Sequence, residues 1–394
     1  MRYDFDTAPD RRRTASLKWD FCEQVLGAAD IIPMWVADMD FPAPPPVLEA
    51  VRKRAEHPVF GYPLAPRSYW TSIVNWMKAR HGWQIKREWL SHSPGVVPAL
   101  SLCILAFSGP GDKIVIQTPV YRPFYSSVEN NGRRIVRKSL KFENGRFVMD
   151  LEGLESRIDG RTRMLILCSP HNPVGRVWSR DELERLGEIC VSRDLLIVSD
   201  EIHSDLVFKG HRHFPFASIS EELASRTVML MAPSKTFNIA GLSTSVVIAP
   251  NPKLLGRYEA QLRNIGLGSG NVFGIAALEA AYAHGGEWLD DLLAYLEGNV
   301  EYAAEFIAGR IPGIRFIRPE GTFLALLDCR GLGMEQKALN DFFLRKAKVY
   351  FDDGTIFGNE LLGFERMNLA CPRALLRRAL ENIETAVNEI RSPS

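Results

Sequence analysis

Thr227-Val-Met-Leu-Met231-Ala-Pro-Ser-Lys235-Thr-Phe-Asn-Ile-Ala-Gly241 is the stretch on which the reading of this chain turns. Thr227–Met231 is a short apolar run with strand character, and a lysine follows it after Ala232, Pro233 and Ser234. Phe237 and Ile239 come next, and Lys235 is the only charge between Arg226 and Lys253. An amine held among apolar neighbours loses hydration, its pKa falls, and it becomes a nucleophile or base near neutral pH. Taken alone, Lys235 also reads as an ordinary strand-end lysine. Its surroundings decide between the two.

Outward from this stretch, short apolar runs alternate with amphipathic ones between about residues 95 and 250. Residues 113–117, 163–168, 194–199, 227–231 and 244–249 read as buried strands, rich in branched side chains and bounded by Pro, Gly or Asp. Ser179-Arg-Asp-Glu182 opens a helix with a capping box and continues through Leu183, Leu186, Ile189 and Cys190. Such alternation predicts an α/β fold, a large domain with a mostly parallel central sheet flanked by helices. Residues 270–309 are helical by period. Strands at 322–327 and 366–370 with helices around 335–347 and 373–391 predict a smaller α+β domain, the last helix carrying a stripe of Leu376, Ala379, Leu380, Ile383, Val387 and Ile390. The boundary is expected near Gly285-Gly286: residues 46–285 form the large domain, and 1–45 with 286–394 the small one. Phe41-Pro-Ala-Pro-Pro-Pro46 reads as an extended connector ahead of a helix.

Composition narrows the function. Of 394 residues, 48 Lys and Arg nearly cancel 47 Asp and Glu, which gives no footprint for nucleic acid. The opening Met1-Arg-Tyr-Asp-Phe-Asp lacks the apolar core of a signal peptide, and no run approaches a membrane span. Six scattered cysteines without a C-x-x-C pair read as reduced, buried thiols, so the expected location is the cytoplasm.

Three successive strand runs end in chemically loaded turns: Ser169-Pro-His-Asn172-Pro-Val-Gly175, Asp200-Glu-Ile-His203 and Ser234-Lys235. Ligands of open α/β sheets bind beyond the carboxyl ends of strands, so the three turns are expected to converge. An aromatic aldehyde cofactor with a phosphate and a pyridine nitrogen fits them. Asp200 would hold the ring nitrogen protonated, Asn172 would reach the ring hydroxyl, and Tyr121 would stack on the ring. Backbone N–H groups at the turn Ser93-Pro-Gly95-Val96-Val97 would take the phosphate. Arg373 opens the last helix, where a cation opposes the helix dipole at roughly 0.3–1 kcal/mol. A bound carboxylate would relieve that conflict, so Arg373 is the expected substrate-carboxylate residue. Each of these residues also has a bland reading as a cap, turn, core or surface side chain.

With Asn172-Pro-x-Gly175, Asp200-Glu-Ile-His203 and Ser234-Lys-Thr-Phe-Asn-Ile-Ala-Gly241 in order, 28 and 35 residues apart, the chain resembles the fold-type I pyridoxal-phosphate (PLP) enzymes of the class I/II aminotransferase family nearly end to end. Within that family it is most similar to the cystathionine β-lyase, or C–S β-lyase, branch. Pro33-Met-Trp-Val-Ala-Asp-Met-Asp-Phe41, Phe60-Gly-Tyr62-Pro63, Asp200-Glu-Ile-His-Ser-Asp205 and Met367-Asn-Leu-Ala-Cys-Pro-Arg373 carry that finer likeness. The resemblance implies that Lys235 binds PLP covalently and acts as the base, that Val96, Val97 and Ser234 hold the phosphate, and that Arg373 binds the α-carboxylate of a small amino-acid substrate. It implies a homodimer in which Tyr62 reaches the neighbouring site. Two departures from the aminotransferase pattern, His203 in place of Tyr and Ser243 in place of a phosphate-binding Arg, fit the lyase branch. His203 itself reads as packing. Aminotransferase activity is the alternative, since the same residues serve it, and a regulatory, partner-binding role is a third reading.

Overall fold

The computed structural model describes residues 2–24, 26–27 and 30–391. Its largest sheet contains β1 (Leu90–Ser93), β2 (Lys113–Thr118), β3 (Arg134–Ser139), β4 (Thr162–Cys168), β5 (Leu196–Asp200), β6 (Thr227–Met231) and β7 (Ser245–Ile248). Their spatial order is β1-β7-β6-β5-β4-β2-β3. The five strands from β3 to β6 across the sheet are parallel, and β7 and β1 are antiparallel to their neighbours. Every residue of β6 is buried, and Arg163 is the sole exposed residue of β4.

Both faces of this sheet are covered, which is why its inner strands read as continuous apolar runs. Leu165, Leu167 and Ile197 pack on one face with Leu183, Leu186 and Cys190 of the helix Arg180–Ser192. Met164, Ile166, Val198 and Val228 pack on the other with the apolar helix Val96–Phe107. The capping box at Ser179 forms in both directions: Ser179 Oγ accepts from the Glu182 amide at 3.2 Å, and the Glu182 carboxylate accepts from the Ser179 amide at 2.8 Å.

A second, antiparallel sheet has the order β8-β9-β11-β10, built from β8 (Arg315–Ile317), β9 (Leu324–Asp328), β10 (Asp352–Asp353) and β11 (Phe364–Asn368). The helices Gly286–Arg310 and Arg373–Arg391 share one apolar core with it, through Leu292, Leu296, Leu376, Leu380 and Ile383. Ile390 leaves the expected stripe and is exposed near the helix end. Ile32 and Pro33 pair in parallel with Val349 and Tyr350 as a separate two-stranded sheet, tying the start of the chain to its last third.

Several boundaries differ from expectation: the strands expected at 322–327 and 366–370 run Leu324–Asp328 and Phe364–Asn368. The 270–309 stretch is two helices, Val272–His284 and Gly286–Arg310, broken at Gly285. A Cβ on Gly285 would lie 2.5 Å from both the Ala281 carbonyl oxygen and the Phe237 ring, so only glycine fits that junction. The strand expected from residue 194 begins at Leu196, because Asp194 turns with φ +49°. Residues 342–346 wind as a π-helix after the short α-helix Gln336–Asp341. All six cysteines are buried and free. Among the described residues no helix is long and apolar enough to cross a membrane, and no group of three His, Cys, Asp or Glu side chains is arranged to hold a metal ion.

Candidate active site

β4, β5 and β6 lie side by side in register, with Cys168 opposite Asp200 and Asp200 opposite Leu230. Their three turns therefore leave the sheet at one level. They border a cavity of about 230 Å³ lined by Asn172, Asp200, His203, Ser234 and Lys235, together with Tyr121, Gly95, Val96 and Val97. The convergence expected from strand order is present.

Lys235 sits in the single turn of helix Pro233–Thr236, and its Nζ donates to the Ala37 carbonyl at 2.6 Å. Loss of hydration, aided by the nearby Arg366 charge, lowers its pKa to about 8, against the opposing pull of Asp38 and Asp200. The segment carrying Ala37 is fixed from two sides. Asn238 donates to the carbonyls of Met39 (2.9 Å) and Phe41 (2.8 Å), and Asn368 donates to those of Val36 and Asp38 (2.6 Å each). Asp200, the last residue of β5, is buried and accepts from the Ile202 amide at 3.2 Å. Burial raises its pKa to about 7, and Glu201 adds to the rise. A cationic N–H donor placed in the cavity would reverse that shift, because an opposite charge favours the ionised carboxylate.

Asn172 is held by a turn that needs its glycine. Gly175 has φ +70°, and a Cβ there would fall 2.6 Å from Pro319 Cβ. The Gly175 carbonyl also accepts from the amides of Glu320 (2.7 Å) and Gly321 (3.2 Å), which docks the turn on the second half of the chain. Tyr121 lines the same cavity, partly buried, with its phenol pushed up by burial and by Asp200 and Asp352. At the other end, Gly95 caps the helix Val96–Phe107, which has no acidic residue in its first turn. Its free N–H groups, with the hydroxyls of Ser234, Ser243 and Thr244 at the cavity wall, suit an oxyanion. Among the described residues lining the cavity, Lys235 is the one cation. The set fits a phosphorylated pyridine aldehyde: an amine of low pKa, a buried carboxylate, and an anion cradle in one cavity.

Two sequence readings change. His203, read as packing, lines the cavity; burial and the charges of Lys235 and Arg366 lower its pKa to about 3, which keeps it neutral. Arg373 lies elsewhere. Its Nε donates to Asn299 Oδ1 at 2.6 Å and its guanidinium sits 4.9 Å from the Tyr302 ring centroid. These partners relieve the conflict at the helix start that a substrate carboxylate was expected to relieve. The arginine that reaches a cavity-lining side chain is Arg366 on β11, which sequence reasoning placed at the start of a strand and gave no role. Its Nη1 donates to Asn172 Oδ1 at 3.0 Å, its Nη2 donates to the Trp35 carbonyl at 2.9 Å, and Asp352 pairs with it. Its buried Nε has no partner among the described residues. Tyr62 is fully exposed and away from the chain's own cavity.

The low amine pKa has a kinetic consequence. Only the neutral amine attacks an aldehyde. The rate at which cofactor-free protein captures PLP is therefore expected to rise with pH and level off above about 8, followed by the growth of visible absorbance after mixing. A rate flat from pH 6 to 9 would contradict the assignment of Lys235.

The family pattern described as aminotransferase class I and II matches residues 29–383. Cystathionine β-lyase PatB of Bacillus subtilis (strain 168) is 43% identical over 386 residues, covering 98% of this chain and 100% of the relative. The PLP-containing crystal structure of cystalysin from Treponema denticola superposes with a TM-score of 0.96 at 38% identity, covering 99% of this chain and 100% of that one. The PLP-bound C–S lyase of Staphylococcus hominis superposes with a TM-score of 0.91 at 32% identity, covering 98% of each chain.

Proposed function

The chain belongs to the class I and II aminotransferase family, and from that membership we propose that it is a PLP-dependent carbon–sulfur β-lyase. It would convert L-cystathionine or an S-substituted L-cysteine, with one water, to a thiol, pyruvate and ammonia. The observation that carries this reading is the juxtaposition, in one cavity, of the Lys235 amine and the buried Asp200 carboxylate.

PLP held there through Lys235 supplies an electron sink for the charge that develops at the substrate's Cα. The residues do the rest. Asp200 would hold a proton on the ring nitrogen, and Asn172 and Tyr121, which line the same cavity, would hold the ring hydroxyl and the ring. The amides of Val96 and Val97 and the Ser234 hydroxyl would hold the phosphate. Arg366 receives the α-carboxylate: its unpartnered Nε is the free donor of a guanidinium already aimed by Asn172 and the Trp35 carbonyl. The Lys235 Nζ would be the general base that takes the Cα proton of the bound substrate. The Ala37 carbonyl, 2.6 Å from Nζ, orients it. His203, kept neutral, adds no charge to the site.

The functional unit in this reading is a homodimer. Val59, Phe60, Tyr62 and Leu64 are all exposed, a run of apolar and aromatic side chains that a second copy would cover. Tyr62 would then complete the phosphate cradle, which lacks an arginine at Ser243. Six free, buried thiols suit the cytoplasm.

Incubating purified protein with L-cystathionine and no keto-acid acceptor tests the reaction assignment. Catalytic release of pyruvate and a free thiol is expected. Turnover only after a keto acid is added would make it an aminotransferase instead.

A further inference from the structure

Phe357 touches two parts of the site at once, and the reaction gives it no part. It closes the short 3₁₀ turn Gly354–Ile356, and it is buried. The central carbon of the Arg366 guanidinium lies 4.6 Å from the centroid of its ring. Its carbonyl accepts from the Val120 amide at 2.9 Å and from the Tyr125 hydroxyl at 2.6 Å. Val120 immediately precedes Tyr121, so the backbone of Phe357 holds the turn that carries Tyr121. Gly358 lies against the same turn: a Cβ there would come within 3.2 Å of Pro119 Cα. That turn is tied in addition to the one carrying Asn172. His171 Nε2 lies 2.8 Å from the Pro119 carbonyl, and since a carbonyl only accepts, this nitrogen carries the ring proton.

Arg366 is otherwise held only at its edge. Asn172 Oδ1, the Trp35 carbonyl and Asp352 accept from its two Nη atoms. Hydrogen bonds made in the guanidinium plane aim the fork of donors, but resist tilting of that plane weakly. A carboxylate gripped by arginine needs a fixed plane, because the donors lie in it. An aromatic ring against a guanidinium supplies that restraint, and the attraction is strongest where water is excluded, as it is at the buried Arg366 and Phe357. We propose that Phe357 is a positioning residue for the substrate: its ring sets the plane of Arg366, and its carbonyl fixes that plane relative to Tyr121. The two groups are close enough for the guanidinium charge to act on the Tyr121 phenol. One residue thereby places the group that would receive the α-carboxylate and the group that would cover the cofactor ring.

The proposal rests on Arg366 as the carboxylate residue of a PLP enzyme, and the test separates the two. PLP-loaded protein is titrated with L-alanine, whose Cβ carries no leaving group, and with ethylamine, the same amine without its carboxylate. Kd is read from the change in the visible band. Phe357→Leu keeps the backbone carbonyl and removes the ring face. Its Kd for L-alanine is expected to rise about five- to thirtyfold, the span of a desolvated cation–π contact. Its Kd for ethylamine is expected to stay within about twofold, since that ligand has nothing for Arg366 to hold. A packing role for Phe357 would weaken both ligands alike. The proposal is overturned if Phe357→Leu binds L-alanine as tightly as the unaltered protein, or if both ligands weaken together. Should Phe357→Leu fail to fold, Phe357→Met, whose unbranched chain fills irregular gaps, decides by the same two Kd values. If neither folds, Phe357 acts by packing and the proposal falls. Arg366→Ala is the control for the underlying reading: unchanged L-alanine binding in that variant removes the carboxylate role of Arg366 and the proposal with it. Weakened L-alanine binding in Arg366→Ala but not in Phe357→Leu removes the proposal alone.

Discussion

Replacing Lys235 with alanine is expected to lower kcat for pyruvate release by about 10³-fold or more, since a positioned general base alone contributes roughly 10²–10⁴. Two roles meet in that one amine, covalent capture of the cofactor and transfer of the Cα proton, and alanine removes both. The neighbours of Lys235 make the loss selective. Its stem is partly buried and its Nζ makes one hydrogen bond, to the Ala37 carbonyl. Truncation therefore leaves one carbonyl without its donor and should leave the fold intact by circular dichroism. PLP should still associate through Asp200 and the phosphate cradle, but without resisting dialysis. Retention of more than about a tenth of the activity, well outside the range for a lost general base, would remove Lys235 from the reaction.

The second large effect separates two arginines. Arg366→Ala is expected to lower kcat/KM by about 10²-fold or more, chiefly through KM. Removing one partner of a buried, hydrogen-bonded charge pair costs about 2–5 kcal/mol, which is roughly 30- to several-thousand-fold. Arg373→Ala should change kcat/KM less than about threefold, the loss being one part-buried hydrogen bond to Asn299 of about 1 kcal/mol in stability. Steady-state kinetics with one thioether substrate on both variants decides the matter. The reverse ranking would return the carboxylate role to Arg373 and leave Arg366 as a structural cation balancing Asp352.

These two arginines also mark how far the sequence can be read. Lys235, Asp200 and Asn172 were legible because strand order alone brings their turns together: each follows a buried run, and parallel neighbours end at the same edge. The cap at Gly95 was legible for a similar local reason. Arg366 was not, because a charged residue inside a short strand looks the same whether it faces solvent or is enclosed. What encloses it comes from distant segments, Asn172, Trp35 and Asp352, none of them predictable by periodicity. One signal was available: Arg366 stands among Phe364, Met367 and Leu369, in a strand whose every residue proves buried. Arg373 drew the role because a cation at a helix start appeared to call for an anion. A neutral side-chain oxygen and an aromatic face met that need instead. His213 and Glu201 pair across an irregular loop at a separation of 12 residues, where no pattern fixes which side chains meet.

The fold shows the same division. The buried strands β2, β4, β5, β6 and β7 were visible as apolar runs, but the edge strands were not. Leu90–Ser93 carries two serines and a histidine, and Arg134–Ser139 holds three charged residues and only two apolar ones at the rim of the sheet. Edge strands need no continuous apolar run because one flank stays open.

The measurement closest to the centre of this account is chemical mapping of the cofactor. Protein reconstituted with PLP is reduced with borohydride, digested, and its peptides weighed. The mass of the reduced cofactor is expected on one peptide, at Lys235, with loss of the visible band on reduction. Cofactor mass on a different lysine, or a protein that gains neither colour nor mass, would contradict the central claim that the turns after β4, β5 and β6 form a PLP site built around Lys235.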